Sequence, residues 1–271
     1  MTTPEIHFDA LAAALTETAQ RAGQAIREIY AGELDVREKA DASPVTDADE
    51  AAEQIILGDL MRAAPGIPVI AEEAVAAGEV PETGDVFFLV DPLDGTKEFV
   101  SGSGEFTVNI ALVKNGRPRF GLILTPALGA LYITLGEGRA VKAQVGTGDI
   151  KPLDAVPHTP LRTRAPTPGQ LVALASRSHM TPATERFLET HGVTETTQAG
   201  SSLKVCRIAE GLADVYPRLG PTCEWDTAAG DAILRAAGGV VLAEDGAPLA
   251  YGKAEDGYIN PGFIAWGRAP V

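Results

Sequence analysis

The chain has 271 residues, 45% of them hydrophobic and 22% charged, with a formal net charge of −15. That describes a globular protein of about two domains, and the negative charge excludes wrapping a nucleic-acid polymer or docking on an anionic membrane by bulk electrostatics. No apolar run approaches the roughly 18 residues of a membrane span, and the N-terminus lacks the basic-then-apolar pattern of a signal peptide.

Residues 7–31 read as an amphipathic helix, with Leu11, Leu15, Ala19, Ala22, Ile26 and Ile29 near one face. Thr46 is a good N-cap, and Asp49 three residues later completes a capping-box pattern for a helix over about 47–63. A short strand at 67–70 runs into Glu72-Glu73. The five apolar residues of Val86-Phe-Phe-Leu-Val90 read as a buried strand that stops at Asp91, where Pro92, Asp94 and Gly95 signal a turn. Strands over 106–113, 118–125 and 130–135, separated by Gly-rich turns, suggest an antiparallel meander. Residues 151–169 carry five prolines and read as the connection between domains. Beyond them come a strand at 171–175, helices at 181–191 and 201–211, a strand near 213–217, a helix at 227–237 and a strand at 239–243. This alternation suggests a β/α second domain.

Asp91 and Asp94 at the end of a buried strand are costly unless something neutralises them. A divalent cation with oxygen ligands, two carboxylates and the Leu93 carbonyl, is the natural neutraliser. The bland alternative is an ordinary turn with Asp as N-cap. Glu72 and Glu73 are a solvated acidic pair unless partners come from elsewhere. Asp226, read at the start of the 227–237 helix, is an N-cap that could also face a metal. Asp47 and Asp49 suit a first helical turn through the macrodipole, or one of them orients Thr96. The turn Gly95-Thr96-Lys97 could cradle a phosphate on backbone N–H groups, but it is no Walker motif. Arg177, Lys204 and Arg218 are surface cations by default, yet an anionic ligand would need such residues in so acidic a chain. Cys206 and Cys223 have neither disulfide-framework nor zinc-cluster spacing, and the four histidines are scattered, so a reducing cytoplasm and no transition metal are expected.

Taken together and in order, Asp49, Glu72-Glu73, Asp91-Pro-Leu-Asp-Gly-Thr96 and Trp225-Asp-Thr-Ala-Ala229 resemble the pattern of the lithium-sensitive, Mg²⁺-dependent phosphatases of the inositol monophosphatase superfamily. Within it the chain resembles the CysQ-type 3′(2′),5′-bisphosphate nucleotidases. The stretches Asp91–Phe99, Gly104–Ala111, Ser176–His179, Gly200–Lys204 and Asn260–Phe263 carry that closer match. The resemblance implies an α/β fold, a layered αβαβα sandwich. An α+β domain over 1–150 would carry most metal ligands on an antiparallel sheet. An α/β domain over 151–271 would carry Asp226 and substrate residues.

It further implies two or three Mg²⁺ ions held by Glu72, Asp91, the Leu93 carbonyl, Asp94 and Asp226. Asp49 and Thr96 would form a hydrogen-bonded pair that helps activate water, with Glu72 nearby. Adenosine 3′,5′-bisphosphate, a by-product of sulfate assimilation, would be the substrate. Gly95, Thr96, Ser178, His179, Ser201, Lys204, Arg218 and Asp226 would contact it. Also implied are inhibition by Li⁺, a cytoplasmic location (or a peripheral one at the inner membrane face), and a monomer or homodimer without nucleic-acid polymer or membrane insertion. An inositol-phosphate or fructose-1,6-bisphosphate phosphatase is the alternative within the superfamily. A non-catalytic acidic metal- or nucleotide-binding protein is the alternative from another class.

Overall fold

The computed structural model describes residues 6–32, 36–38, 44–136, 138–167, 169–175 and 181–269. Helix α1 spans Phe8–Tyr30, and β1 (Val36–Glu38) pairs with β2 (Pro44–Thr46). Next come α2 (Asp47–Ala63), β3 (Val69–Ala71), α3 (Glu72–Ala76), β4 (Val86–Asp94), α4 (Thr96–Val100) and the strands β5 (Thr107–Lys114), β6 (Arg117–Thr125), β7 (Ala130–Thr134), β8 (Ala140–Gln144) and β9 (His158–Pro160). The rest of the chain forms β10 (Leu171–Ala175), α5 (Pro182–Thr190), β11 (Val193–Gln198), α6 (Leu203–Ala209), β12 (Val215–Arg218), β13 (Thr222–Cys223), α7 (Glu224–Ala236), β14 (Val240–Ala243), β15 (Ile259–Asn260) and β16 (Phe263–Trp266).

Two sheets organise these elements. The first has seven strands in the order β3-β4-β5-β6-β7-β8-β9, antiparallel from β4 onward as the meander pattern predicts. The second has five, in the order β11-β10-β12-β16-β14. Strand β4 explains why its sequence is apolar without alternation. Phe88 and Val90 pack with Leu15, Ile26 and Ile56 of α1 and α2. Phe87 and Leu89 pack on the opposite side with Cys206 of α6 and Ala229 and Ile233 of α7. A strand covered on both faces has no polar side to show. The same central core takes in Tyr216, Val241 and Phe263 of the second sheet. Beyond that sheet, Phe187 and Leu188 of α5 pack against Ala173, Val215 and Trp266. The layers therefore run α1/α2, first sheet, α6/α7, second sheet, α5: the expected αβαβα sandwich.

Close layering is plainest at a glycine of β6. At Gly121 of β6 a Cβ would overlap the Ala229 carbonyl oxygen and stand 3.0 Å from the Ala232 Cβ. Gly121→Ala is expected to push α7 off the sheet and cost about 1–3 kcal/mol, read as a fall of several degrees in melting temperature; an unchanged melt would show that the layer yields freely.

Three expectations change. Strand β4 does not end at Asp91; it continues to Asp94 through a register shift between Asp91 and Asp94. That bulge keeps both aspartates on a strand of the sheet. Helix α7 begins at Glu224, capped by Cys223, so Asp226 is its third residue and not its N-cap. Inside the proline-rich segment, His158–Pro160 pairs with β8 and extends the first sheet beyond residue 150.

Candidate metal and phosphate cleft

Each acidic side chain reaches the cleft by a different local device. Asp49 is buried on α2, where its Oδ2 accepts from the Thr46 amide and the Thr46 hydroxyl, both at 2.8 Å. The capping box read from the sequence therefore exists, and it leaves Oδ1 facing Thr96, whose Oγ1 lies 3.5 Å away. The same Oγ1 is 3.4 Å from the Leu93 carbonyl. Asp91 sits on the bulge of β4, 1% exposed, with Oδ1 accepting from the Leu93 amide at 3.0 Å. Glu72 opens α3 directly after β3, the parallel neighbour of β4. Asp226 turns back one helical step, its Oδ2 accepting from the Cys223 amide at 2.9 Å.

These devices bring one carboxylate oxygen each from Glu72, Asp91 and Asp226 within 4.8 Å of one another. Burial pushes the Asp91 carboxyl well above the usual carboxylate range, and Glu72, Asp94, Asp226 and Asp49 push it further. Asp226 is raised in the same way, by burial and then by Asp94 and Glu72, with its Cys223 bond and Arg218 offsetting part. A set of carboxylates that repel one another, Asp91 buried and Glu72 and Asp226 half-buried, is stable in ionised form only with cations among them. The donors are all hard oxygens, with the Leu93 carbonyl lining the same cleft, which is the set that Mg²⁺ prefers.

Asp94 stands beside this triad and links β4 to the turn that leads into α6. Its Oδ2 accepts from the Ser202 amide at 2.6 Å and the Ser202 hydroxyl at 2.7 Å, and from the Ser201 hydroxyl. Thr107 Oγ1 and Asn109 Nδ2 approach the same oxygen at 3.4 Å. Ser202 Oγ also lies 2.8 Å from the Asp226 carbonyl, and Asn109 donates to Ser202 at 2.9 Å. The stretch 199–202 is held from the other side, where the Gly200 amide donates to Glu105 at 3.0 Å. Ser201 adopts φ 53°, a left-handed conformation uncommon for a residue with a Cβ. Its short contacts to Asp94 and Thr107 hold it there. Gly95, at φ 90°, makes the turn from β4 into α4.

Two cations line the same cleft. Lys204 is 7% exposed on α6; its Nζ donates to the Ala199 carbonyl at 3.4 Å and lies 5.3 Å from the centre of the Tyr216 ring. Burial lowers its affinity for the proton, against the pull of Asp94, Glu98 and Glu105, and Arg218 lowers it further. Arg218 lies two residues beyond Tyr216 on β12, so both project from one side of that strand. Among the described residues neither Lys204 nor Arg218 makes an ion pair.

One cavity of about 340 Å³ is lined by Glu72, Asp91, Leu93, Asp94, Gly95, Thr96, Ser201, Lys204, Arg218 and Asp226, among others. All the expected metal ligands thus border one space, with Asp49 behind Thr96. Arg177, Ser178 and His179 lie outside the described residues. Sequence reasoning missed Ser202, Asn109, Thr107, Glu105 and Tyr216. Four of these fall within or beside stretches already singled out, Gly104–Ala111 and Gly200–Lys204, but nothing in those stretches alone tells a network from a strand. Tyr216 had no signal beyond its place beside Arg218.

The model of the inositol monophosphatase family matches residues 8–264. The chain belongs to the inositol monophosphatase family. Among curated family members it is 44% identical over 250 residues to the 3′(2′),5′-bisphosphate nucleotidase CysQ of Escherichia coli strain K12, covering 91% of this chain and 96% of that one. The protein of the same name from Shigella flexneri is 43% identical over 249 residues. Among solved structures, CysQ of Bacteroides thetaiotaomicron, itself described as a bacterial member of the inositol monophosphatase family, superposes with a TM-score of 0.79 at 39% identity over 97% of this chain and 98% of that one. No helix among the described residues is long and apolar enough to cross a membrane.

Proposed function

We propose that this protein is a Mg²⁺-dependent phosphatase that hydrolyses the 3′-phosphate of adenosine 3′,5′-bisphosphate to AMP and phosphate. The observation that carries the reading is the division of charge in one cleft. Repelling carboxylates line it together with a buried lysine and an arginine that make no ion pair among the described residues. Divalent cations answer the first, and a phosphate that need not be cleaved answers the second. The relatives named as 3′(2′),5′-bisphosphate nucleotidases support that choice of substrate.

Glu72, Asp91, Asp94, Asp226 and the Leu93 carbonyl would hold two or three ions. When bound, such ions stabilise charge on the phosphoryl oxygens and make water acidic enough to ionise near neutral pH. The chain's own groups set up the rest. Thr96 Oγ1 directs its proton to Asp49 Oδ1 or the Leu93 carbonyl, which leaves its lone pairs free to orient an attacking water. Asp49, pinned by Thr46, is the terminal acceptor of that relay. The backbone N–H groups of Gly95 and Thr96 cradle the scissile phosphate. Lys204 and Arg218 take the 5′-phosphate, with Ser201 bordering the nucleoside and Ser178 and His179 assigned to it by sequence alone. No side chain is needed as a covalent nucleophile.

The test is phosphate release, with and without Mg²⁺, from adenosine 3′,5′-bisphosphate, inositol 1-phosphate and fructose 1,6-bisphosphate. Preference for the nucleotide by at least about tenfold in kcat/KM is expected, since a well-placed second charge is worth more than 1.4 kcal/mol. Equal turnover of inositol 1-phosphate would sink the substrate assignment. Hydrolysis of none of them would leave a binding protein.

A further inference from the structure

Helix α3 is five residues long and its N-cap, Ala71, offers no side-chain acceptor. The acceptor comes from another helix. Glu53, buried on α2, takes the Glu73 amide on Oε2 and the Ala74 amide on Oε1, each at 2.9 Å. The two oxygens of one carboxylate thus each accept from one of the two backbone groups that follow Glu72. Asp49 and Glu53 are four residues apart, so they share one face of α2. One meets Thr96 and the other holds the turn that carries Glu72.

A serine or aspartate at position 71 would satisfy the same amides locally. What a local cap cannot do is fix α3 against α2. A carboxylate reaching from α2 does so, and it thereby sets where Glu72 stands relative to Asp91 and Asp226. We infer that Glu53 is a positioning residue for the metal site: it tunes the affinity for divalent cations by orienting Glu72, without itself touching the ion or the substrate. This rests on the metal-phosphatase reading above. Partners that orient ligands commonly change metal affinity by about 10–100-fold when removed.

The experiment compares wild type with Glu53→Gln, Glu53→Met and Glu72→Gln. Magnesium binding is measured by calorimetry without substrate, phosphate release is titrated with Mg²⁺, and metal-free melting is recorded. Glu53→Met, which keeps the packing and loses both acceptors, is expected to bind Mg²⁺ about 10–100-fold more weakly. Glu53→Gln, which keeps one carbonyl acceptor, should fall in between. At saturating Mg²⁺ the kcat of both should return to within about threefold of wild type, the pattern of a lost positioning contact rather than a lost ligand. Glu72→Gln should not recover at any Mg²⁺ concentration. An unchanged Mg²⁺ titration in Glu53→Met, whatever its melting temperature, would reduce Glu53 to a structural cap and overturn the inference. So would a kcat that stays low at saturation. Should Glu53→Met not fold, Glu53→Gln decides by the same titration. Wild type that neither binds Mg²⁺ nor releases phosphate would overturn the underlying reading instead.

Discussion

Asp91→Asn is expected to slow phosphate release by about 10²–10⁴-fold and, in the absence of metal, to make the protein more stable. The two effects have one cause. Asp91 is buried among Glu72, Asp94, Asp226 and Asp49, all of which oppose its ionisation. At an effective dielectric near 20, like charges about 4–5 Å apart repel by a few kcal/mol. Asparagine keeps the oxygen that accepts from the Leu93 amide and removes the charge. We expect metal-free stability to rise by about 1–3 kcal/mol, less than the full repulsion because the native cluster relieves itself partly by holding protons. The sign with pH follows. A carboxyl raised in the folded state stabilises at low pH, where it is protonated, and that contribution is lost as pH rises through the raised value. The advantage of Asp91→Asn should therefore be small in acid and grow towards neutral pH. With Mg²⁺ present the order should invert, since wild type gains binding energy that the variant lacks. Loss of a ligand that helps neutralise the transition state should cost about 3–5 kcal/mol, roughly 10²–10⁴-fold in kcat. Melting curves at pH 5 and 8, with and without Mg²⁺, check the first part. A variant less stable than wild type under every condition would show that the carboxylates are not in conflict.

Lys204→Met should act on specificity more than on chemistry. The lysine is 7% exposed and has no anionic partner among the described residues, yet Asp94, Glu98 and Glu105 help to keep it charged. It lines the cavity that the acidic triad lines, against the Tyr216 ring. Methionine fills the stem's volume and removes the charge. A desolvated charge pair broken on one side costs about 2–5 kcal/mol. We expect kcat/KM for adenosine 3′,5′-bisphosphate to fall about 10²-fold. With adenosine 3′-monophosphate, which has no second phosphate to lose, the change should stay within about threefold. Arg218→Ala should do the same more weakly, because Arg218 is half-exposed and water competes for it. Equal losses on both substrates would move Lys204 from the second phosphate to the reacting one.

Both predictions draw on the same coupling. Asp94 belongs to the strand that carries Asp91, yet one of its oxygens is held by Ser201 and Ser202 from the turn that leads into α6. Ser202 in turn reaches the Asp226 carbonyl, and Lys204 follows it on α6. Asp94 and the start of α7 are therefore tied, through Ser202, to the helix that carries Lys204.

Much of this was legible in the order of residues. Periodicity over residues 8–30 fixes α1, because a helix with one buried face must repeat its apolar positions every 3.6 residues. The unbroken Val86–Val90 run announces a strand covered on both sides, and the capping box at Thr46 and Asp49 is a local device that local sequence encodes. Strand β11, Val-Thr-Glu-Thr-Thr-Gln, was not legible: it is the edge of its sheet and largely exposed, so its side chains carry no burial pattern. The bulge between Asp91 and Asp94 reads in sequence as a turn, since both favour the same residues. Sequence alone thus determined which carboxylates were too costly to leave unneutralised and which segments were helix or buried strand. Only the tertiary structure decided which carboxylates meet: Glu72 and Asp226 are far apart in the chain and converge through layer packing, which depends on contacts that no local pattern encodes.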